Sequence, residues 1–503
     1  QDERQDYGGR VNASFKLFDD WLEVRPAVDY RQAARNNHYP NFQQAMRNNP
    51  TRSPYDPDSE TGYNVWINES LDYNVVADAM LEDYYGLDKW FKPEVNLKLN
   101  IKPIPGLNYQ QVVGYENRQW ELHQYWPSTH RSEIDNSRKG HAHLAFSKTE
   151  NLTSEGYFSY VKDFKGGHNL NATAGYSYFE VNGENFGMDN YNFSVDGIKY
   201  WDIGQGSYLT DGKAGMSSGK SVTERLFSFF ARANYSYQDK YMLSASIRHE
   251  GSSKFAADNR WANFWSATAG WRISNEEFMK DFDWLDDLKI RFGYGVTGNN
   301  DFSATYMANM LGSDTNWMMP NGTWAYSYGK SQNVNPNLGW EEKKEWNLGV
   351  DYSFFEGRLY GKFDYYRREV DNLLFSVKVP QPPYTQGSQM QNIGSMESKG
   401  WEFEVGGDII RTKDFTWSSS MNLSHNTGKI LTLEGDNSYH NGNGFVAPGT
   451  PGDAARMEAG STIGSFYMWK FAGFDDEGSF LLYNKDGEVI PAAQKTENDK
   501  QYI

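Results

Sequence analysis

The sequence predicts an all-β protein, a membrane-spanning antiparallel β-barrel, and three observations support this fold class. Apolar and polar residues alternate with period two along most of the 503 residues, helical periodicity is scarce, and short and long connections alternate strictly. A strand of this kind shows one face to lipid and the other to water. We expect about 14–15 such strands in this chain.

The alternation is clearest in the segment 287–297. Ile290 and Phe292 lie on one face of the predicted strand, and Lys289 and Arg291 lie on the other. The segments 240–248 and 401–409 repeat this pattern. Charged side chains at these positions would cost several kcal/mol each if buried without partners in a β-sandwich core. They would meet water inside a wide barrel, so the pattern favours the barrel.

Seven hairpins account for the strands in chain order, and all but the fifth have a tight polar turn between the two arms. The first four are 10–31 with a turn at Asp19-Asp20, 93–118 with a turn at Pro103-Ile104-Pro105-Gly106, 151–180 with a turn at Lys165-Gly166-Gly167-His168, and 224–250 with a turn at Gln238-Asp239. The last three are 262–297 with a longer connection and one helical turn at Glu276-Glu277-Phe278-Met279, 344–369 with a turn at Glu356-Gly357, and 400–425 with a turn at Thr412-Lys413.

Long connections rich in Gly, Asn, Asp and aromatic residues separate these hairpins. They are 32–92, 119–150, 181–223, 298–343, 370–399 and 426–465, with a shorter one at 251–261. Loops above ~12–15 residues are uncommon in compact soluble domains. Outer-membrane barrels, by contrast, have short periplasmic turns and long extracellular loops. We therefore expect a multi-pass β-barrel in a bacterial outer membrane, in contact with its lipid.

The amino-acid composition further restricts the class of protein. Lys and Arg number 49 against 66 Asp and Glu, and the net charge of −17 argues against a nucleic-acid partner. The mean hydropathy is −0.78, and no apolar run approaches the ~20 residues of a spanning helix. Cysteine is absent, which excludes disulfides and thiolate ligands. Aromatic residues make up 16% of the chain, which fits interfacial girdles but also a soluble carbohydrate-binding β-protein.

Seven segments carry specific combinations of Gly, Asn, charged and aromatic residues. They are 237–246 (YQDKYMLSAS), 248–255 (RHEGSSKF), 269–274 (AGWRIS), 284–289 (WLDDLK), 294–299 (YGVTGN), 335–341 (NPNLGWE) and 392–402 (NIGSMESKGWE). In type and order they resemble the SusC/RagA family of TonB-dependent outer-membrane transporters of Bacteroidetes, and the resemblance covers essentially the whole chain.

This resemblance implies a 22-stranded barrel, an N-terminal plug, energy from the TonB–ExbB–ExbD machinery and a SusD-like surface lipoprotein as a lid. The sequence shows no signal peptide, TonB box or plug, and it ends without a terminal aromatic strand. We expect a barrel fragment of a longer polypeptide that lacks the plug and both termini. The function that the resemblance implies is active import of a bulky nutrient, a glycan or oligosaccharide, with oligopeptide import as an alternative.

One long connection is the predicted substrate-binding segment, because aromatic faces and planar amides suit sugar rings and also peptides. Its candidate residues are Asp314, Asn316, Trp317, Asn321, Trp324, Tyr326 and Tyr328. The alternative is that these rings pack loops together or contact the lid. The same two interpretations apply to Trp120, Tyr125, Trp126, Tyr200 and Trp201.

Four other groups of residues are candidate chemical sites. Glu402 and Glu404 share a strand face roughly 7 Å apart and could act as a glycosidase pair, but charges facing a lumen explain them better. His141 and His143 form an H-x-H pair without an evident third metal ligand. The segment 248–251 lacks the spacing of a nucleophilic site, and 475–478 lacks the ligand register of a calcium loop. The sequence therefore predicts no enzyme, no metal site and no cofactor.

Overall fold

The computed structural model describes residues 3–36, 41–66, 73–308, 311–433, 439–441 and 454–502. The chain divides into two compact units. One unit comprises Gln1–Phe158 and Tyr176–Leu226, and the other comprises Ser159–Gly175 and Phe227–Ile503. The division falls within the strands of the third expected hairpin, so the turn of that hairpin belongs to the second unit.

The first unit consists of long antiparallel strands joined by segments with short helices. Its strands are β1 (Glu3–Asn12), β2 (Phe15–Leu17), β3 (Leu22–Asn36), β4 (Asp83–Asn100), β5 (Leu107–Trp126), β6 (His141–Phe164), β7 (His168–Tyr191) and β8 (Gly215–Lys220). Its helices are α1 (Phe42–Arg47), α2 (Val75–Leu81) and α3 (Arg131–Asp135), with 3-10 turns at Asp196–Ile198 and Ile203–Gln205. The strand order is β1-β3-β4-β5-β6-β7, while β2 pairs with β3 and β8 with β7.

The second unit contains the remaining strands. They are β9 (Glu224–Tyr237, in this unit from Phe227), β10 (Tyr241–Ser252), β11 (Trp261–Arg272), β12 (Leu285–Asn299), β13 (Leu311–Met318), β14 (Trp324–Lys330), β15 (Glu341–Phe354), β16 (Leu359–Asp371), β17 (Leu374–Lys378), β18 (Ser388–Asn392), β19 (Ser395–Arg411), β20 (Thr416–Thr432), β21 (Tyr439–Asn441), β22 (Arg456–Glu458), β23 (Tyr467–Met468), β24 (Lys470–Phe474), β25 (Phe480–Tyr483), β26 (Val489–Pro491) and β27 (Gln501–Tyr502). Its 3-10 turns are Ala257–Asn259, Ile273–Asn275, Glu277–Met279, Ala304–Met307, Ala492–Gln494 and Glu497–Asp499.

The long strands of the second unit follow the order β9-β10-β11-β12-β15-β16-β19-β20. Their pairing is antiparallel, and the registers place Ile247 opposite Trp265, and Ile290 opposite both Trp271 and Val350. With the six long strands of the first unit's order, these eight agree with the expected number for the described residues.

Each long strand of the second unit has an apolar and a polar face, as the alternation predicted. On β10 the side chains of Tyr241, Leu243 and Ile247 are exposed on one face, and Ser244 and Ser246 lie on the other. Cross-strand pairing extends the first set into an apolar face and the second into a polar face. Exposed apolar side chains along a whole sheet face indicate that this face does not meet water.

Tight turns join the strand pairs at positions rich in Gly and Asp. Phe18, Asp19 and Asp20 have φ values of 54, 50 and 65°, in the left-handed region that favours turns. Gln238 and Asp239 have φ values of 52° each, as a two-residue hairpin of type I′ requires. The connection after β11 contains two 3-10 turns, at Ile273–Asn275 and Glu277–Met279.

The strands extend beyond the ranges expected from sequence, at the ends that adjoin the long connections. The third hairpin was expected at 151–180, but β6 and β7 are 24 residues each and reach from His141 to Tyr191. A strand needs only ~9–11 residues to cross a membrane. The added part of β6 is not uniformly polar, since Ala142 is fully buried there and Leu144 packs against the cluster around Tyr125.

Small antiparallel sheets form in the segments of the second unit that lie between and after its long strands. They are the pairs β13-β14, β17-β18, β21-β22 and β23-β27, and the three-stranded sheet β24-β25-β26. Across the described ranges, no helix is long and apolar enough to cross a membrane.

Candidate functional site

The predicted substrate-binding segment forms the hairpin β13–β14, which leaves large aromatic side chains exposed. Trp317, Trp324 and Tyr328 are 67%, 63% and 70% exposed. Asn321 lies in the turn, where its Oδ1 accepts hydrogen bonds from the backbone N and the hydroxyl of Thr323. The side chains of Asp314, Asn316 and Tyr326 lie outside the described part of the structure.

The register of the hairpin divides the exposed aromatic residues between its two faces. Met318 lies opposite Trp324, and Trp317 lies opposite Ala325. Residues directly opposite each other share a face, and so do alternate residues of one strand. Trp324 and Tyr328 therefore share one face roughly 13 Å apart, and Trp317 lies on the other. Only the first of these faces offers two stacking surfaces to one ligand.

The second group of candidate aromatic residues lies in the first unit and packs mostly inward. Tyr125 is 2% exposed, contacts Phe193 edge-on, and donates its hydroxyl to Asp196 over 2.8 Å. Tyr200 is also buried, and burial raises the pKa of its hydroxyl. Of Tyr125, Tyr200 and Trp201, Trp201 alone is exposed, with 76% of its surface accessible, and can contact a ligand.

Trp126 and the histidine pair form a stacked column at the start of β6. The His141 ring lies between Trp126, at 4.6 Å, and Tyr191, at 4.2 Å. His141 Nε2 and His143 Nδ1 both contact the same Asp189 oxygen, over 2.8 and 2.9 Å. The described residues contain no group of three or more side chains that could hold a metal ion. Asp189 thus joins the two histidines to β7.

Charged residues of the polar face form cross-strand ion pairs. Arg291 on β12 donates Nε and Nη2 to Asp351 on β15 over 3.0 and 2.9 Å, and its Nη2 also reaches Asp364 on β16 over 3.1 Å. Lys289 contacts Asp351 over 2.7 Å. Charges predicted to be merely solvated therefore link three neighbouring strands.

Glu402 and Glu404 lie on the same polar face of the sheet. Lys362 contacts Glu404 over 3.0 Å, and Glu402 lies opposite Asp364 in the sheet register. A glycosidase requires a nucleophile and an acid facing a sugar bond. Here one carboxylate is neutralised by a lysine, which fits a charged wall better than a catalytic pair.

The two remaining groups weighed from sequence have structural roles. Arg248 contacts Glu250 two residues along β10 over 2.9 Å. Asp475 accepts the backbone N–H groups of Glu477 and Ser479 through one carboxylate oxygen, which closes a tight turn. Neither arrangement provides a nucleophile or a set of metal ligands.

Sequence reasoning did not single out an aromatic core at the ends of the strands that adjoin the long connections. Phe255 is almost fully buried and contacts Trp340 at 4.8 Å and Phe302 at 5.3 Å. Trp340 also contacts Phe264 at 5.2 Å, and Leu338 is completely buried beside it in the chain. We call Phe255, Phe264, Phe302, Leu338 and Trp340 the rim core.

Asparagine side chains brace the loops around the rim core. Asn333 donates to two carbonyls and Asn335 to one carbonyl of the 386–390 segment, over 2.7 to 3.0 Å. Asn392 accepts the Gly339 N–H over 2.7 Å and donates to the Gly339 carbonyl. The segments 248–255, 335–341 and 392–402, quoted above for their resemblance, therefore meet in one place. The sequence shows the Asn, Gly and aromatic content of these three segments, but it does not show that they contact one another.

The family described as TonB dependent receptor-like, beta-barrel matches residues 20–495. TonB-dependent receptor P39 of Formosa agariphila is 31% identical over 398 residues, which cover 76% of this chain and 35% of the relative. TonB-dependent receptor SusC of Bacteroides thetaiotaomicron is 35% identical over 291 residues, which cover 56% of this chain and 29% of the relative.

A solved structure, that of the RagAB peptide transporter, matches with a TM-score of 0.82 at 22% identity and covers 99% of this chain and 54% of that one. At this identity the likeness shows the fold alone, a barrel of the TonB-dependent receptor type. The chain spans about a third of the length of the curated relatives it matches.

Proposed function

Because the chain belongs to the TonB dependent receptor-like β-barrel family, as its SusC/RagA motifs predicted, we propose that it forms part of the barrel of an importer for a bulky nutrient. The family is one of the bacterial outer membrane. In this setting the apolar face of the long strands is the lipid-facing side, and the polar face lines the interior. Import by such a barrel is binding and gating, without covalent chemistry.

We propose a glycan as the nutrient, and the observation that carries this is the face of the β13–β14 hairpin with Trp324 and Tyr328. Two exposed rings roughly 13 Å apart on one rigid strand can stack on separate sugar rings of one chain. Stacking needs no charge on the ligand, which suits a chain whose net charge is −17. An oligopeptide with aromatic or apolar side chains is the alternative ligand for the same face.

The proposed partners follow from the family. A SusD-like surface lipoprotein would close the extracellular side over the captured nutrient, and TonB–ExbB–ExbD would supply energy through a region outside this chain. The similarity to SusC supports the lipoprotein. If the protein were instead a soluble carbohydrate-binding protein, its exposed apolar face would contact water. That contact costs about 25 cal/mol of free energy for each Å² of apolar surface.

Uptake of labelled ligands by living cells tests whether the imported nutrient is a glycan. Cells producing the full-length protein would receive fluorescent oligosaccharides or oligopeptides of equal length, and accumulation would be compared between variants. Replacing Trp324 and Tyr328 by alanine removes two stacking contacts of about 1 kcal/mol each, so we expect oligosaccharide uptake at limiting concentration to fall by at least tenfold.

The matched control is Trp317→Ala, because Trp317 is equally exposed but lies on the other face of the hairpin. This control should retain uptake within about twofold. Uptake of the peptides with no uptake of any glycan would contradict the proposed nutrient. Equal uptake by all variants would contradict the assignment of this face.

A further inference from the structure

A cavity of about 340 Å³ lies at the extracellular ends of β11 and β15, apart from the β13–β14 hairpin. Its lining includes Asp258, Trp261, Asn337, Glu342 and Asn372. These residues come from three segments that are far apart in sequence, and Trp340 of the rim core lines the cavity beside them. Carboxylates and amides facing an indole ring form a combination suited to a polyhydroxylated ligand.

The walls of this cavity are held by hydrogen bonds that leave the side chains of Asp258, Asn337, Glu342 and Asn372 unused. Asn259 Nδ2 donates to the Asn337 carbonyl over 2.9 Å, and Trp340 Nε1 donates to the Arg260 carbonyl over 3.0 Å. Asn392 Nδ2 donates to the carbonyls of Gly339 and Asn372 over 2.9 and 3.0 Å. The cavity is therefore formed in advance, and little ordering is needed when a ligand enters.

Four of the polar side chains that line the cavity are free to bind a ligand. Among the described residues, those of Asp258, Asn337, Glu342 and Asn372 have no hydrogen-bonding partner. Together they offer carboxylate acceptors and amide groups that both accept and donate. Such groups can bind several neighbouring hydroxyl groups of one ligand at the same time.

Trp261 supplies the stacking surface. His249 stacks on its indole with the rings 4.8 Å apart and 9° from parallel, and 44% of the Trp261 surface remains exposed. His249 holds the indole in one orientation and leaves the rest of it open. An indole beside acceptors and donors binds the apolar face of a sugar ring while its hydroxyl groups reach the polar side chains.

The position of the cavity indicates where the ligand comes from. Trp261 lies on the lipid-facing side of β11, and Trp271 lies ten residues farther along the same side. At ~3.3 Å per residue and ~40° tilt, the two rings are separated by roughly 25 Å along the membrane normal, the height of the apolar band. Trp261 therefore lies at the level of the extracellular headgroups, where aromatic belts occur. Glu342 is also on the lipid-facing side, two residues from Lys344 and four from Trp346 on β15.

We propose that this cavity binds a hexopyranose sugar in the headgroup region of the outer leaflet. The sugar ring stacks on Trp261, and its hydroxyl groups bind Asp258, Asn337, Glu342 and Asn372. The same sugar chemistry can come from a membrane glycolipid or from a free oligosaccharide, and the lipid-facing position favours the glycolipid. This site is separate from the proposed transport function, because it faces the membrane and not the interior.

Binding of two defined ligands to the intact protein tests this site. One arm uses nanodiscs of phosphatidylethanolamine that contain lipopolysaccharide and counts bound lipopolysaccharide by native mass spectrometry. The other arm uses lipopolysaccharide-free nanodiscs and measures maltohexaose binding by calorimetry. We expect Trp261→Ala, and separately the double variant Asp258→Ala with Glu342→Ala, to weaken lipopolysaccharide binding by at least tenfold.

Trp265→Ala is the matched control, since Trp265 lies on the same side of β11 four residues nearer the membrane centre and outside the cavity. It should bind as wild type. The double variant leaves Trp261 and the bracing amides intact, so it reports on the site even if Trp261→Ala does not fold. If the cavity variants lost only maltohexaose binding, the sugar site would be supported, with a free oligosaccharide as its ligand. Absence of binding of either ligand to wild type, or unchanged binding by both cavity variants, would overturn the proposal.

Discussion

Arg291 shows how single residues hold the polar face of the second unit together. Its guanidinium lies across Gly349 of β15 to reach Asp351 and Asp364 at the same time. A Cβ added at Gly349 would come within 2.6 Å of both the Arg291 Cζ and an Asp364 carboxylate oxygen. The glycine is therefore needed for close approach of this side chain, and not for a special backbone angle.

This geometry predicts that Gly349→Ala destabilises the protein. The added methyl group forces the guanidinium away from one carboxylate, so the free energy of unfolding should fall by roughly 1–3 kcal/mol. Urea unfolding of the detergent-solubilised protein, followed by tryptophan fluorescence, measures the change.

Gly114→Ala is the control for this substitution. Gly114 also lies within a strand, but a Cβ there would have only Glu94 atoms near it, at 3.9 Å. We expect its stability to stay within about 0.5 kcal/mol of wild type, because strands tolerate alanine better than glycine. Equal losses for both variants would show that strand propensity, and not the Arg291 contact, sets the effect.

At the scale of elements, Glu276 joins two neighbouring hairpins on the short-turn side. It accepts hydrogen bonds from the Tyr241 hydroxyl over 2.6 Å, the Trp271 indole over 3.1 Å and the Lys240 ammonium over 3.1 Å. Asn275 beside it donates to the Asp239 carbonyl over 3.2 Å. The connection after β11 is thus fastened to the turn before β10.

This arrangement predicts a pH-dependent contribution to stability. The hydrogen bond from Tyr241, then those from Trp271 and Lys240, hold the pKa of Glu276 below its ordinary range. A carboxyl whose pKa is lowered by folding stabilises the folded state above its unfolded pKa, and this contribution is lost as the pH falls through the lowered value. Glu276→Gln should therefore lower the urea midpoint at pH 7, and the difference from wild type should shrink as the pH falls below the ordinary glutamate pKa of 4.5.

The neighbouring substitution Glu277→Gln provides the comparison. Glu277 is largely exposed and its ionic contact is with Lys280, three residues away, over 2.7 Å. An exposed pair of this kind contributes little, so its pH-dependent effect should be smaller than that of Glu276→Gln. A midpoint difference for Glu276→Gln that stays constant between pH 7 and 3 would contradict the proposed role of the carboxylate.

Elements also show what the sequence could predict and why. The turns at 165–168 and 238–239 were placed correctly by Gly and Asp, because these residues act through local backbone conformation. The far ends of β6 and β7 were missed although apolar residues continue there, because Ala142 and Leu144 pack with Tyr125 and other residues distant in sequence. Local turn chemistry is visible in a sequence, whereas packing between distant segments is not.

At the scale of the whole molecule, the family and barrel class could be read from motifs and alternation, whereas the loop structure could not. The rim core joins Phe255, Phe302 and Trp340, which are separated by dozens of residues. Their contact depends on how the connections 251–261 and 298–343 pack against each other, and no periodic pattern encodes it. The aromatic content of β13–β14 predicted candidate binding residues there. That Trp317 and Trp324 lie on opposite faces of the hairpin follows only from the strand register.

The barrel as a whole makes one further prediction, that adjacent residues of β12 meet different surroundings. Ile290 lies on the apolar face, and Lys289 lies on the polar face beside Asp351. Because the chain has no cysteine, a nitroxide can be attached at either position alone after Ile290→Cys or Lys289→Cys. In lipid vesicles, the label at 290 should relax faster with oxygen, which concentrates in hydrocarbon. The label at 289 should be relaxed no more strongly by oxygen than by a water-soluble nickel chelate, since its side of the strand faces the interior. Equal oxygen accessibility at both positions would mean that the apolar face does not contact lipid.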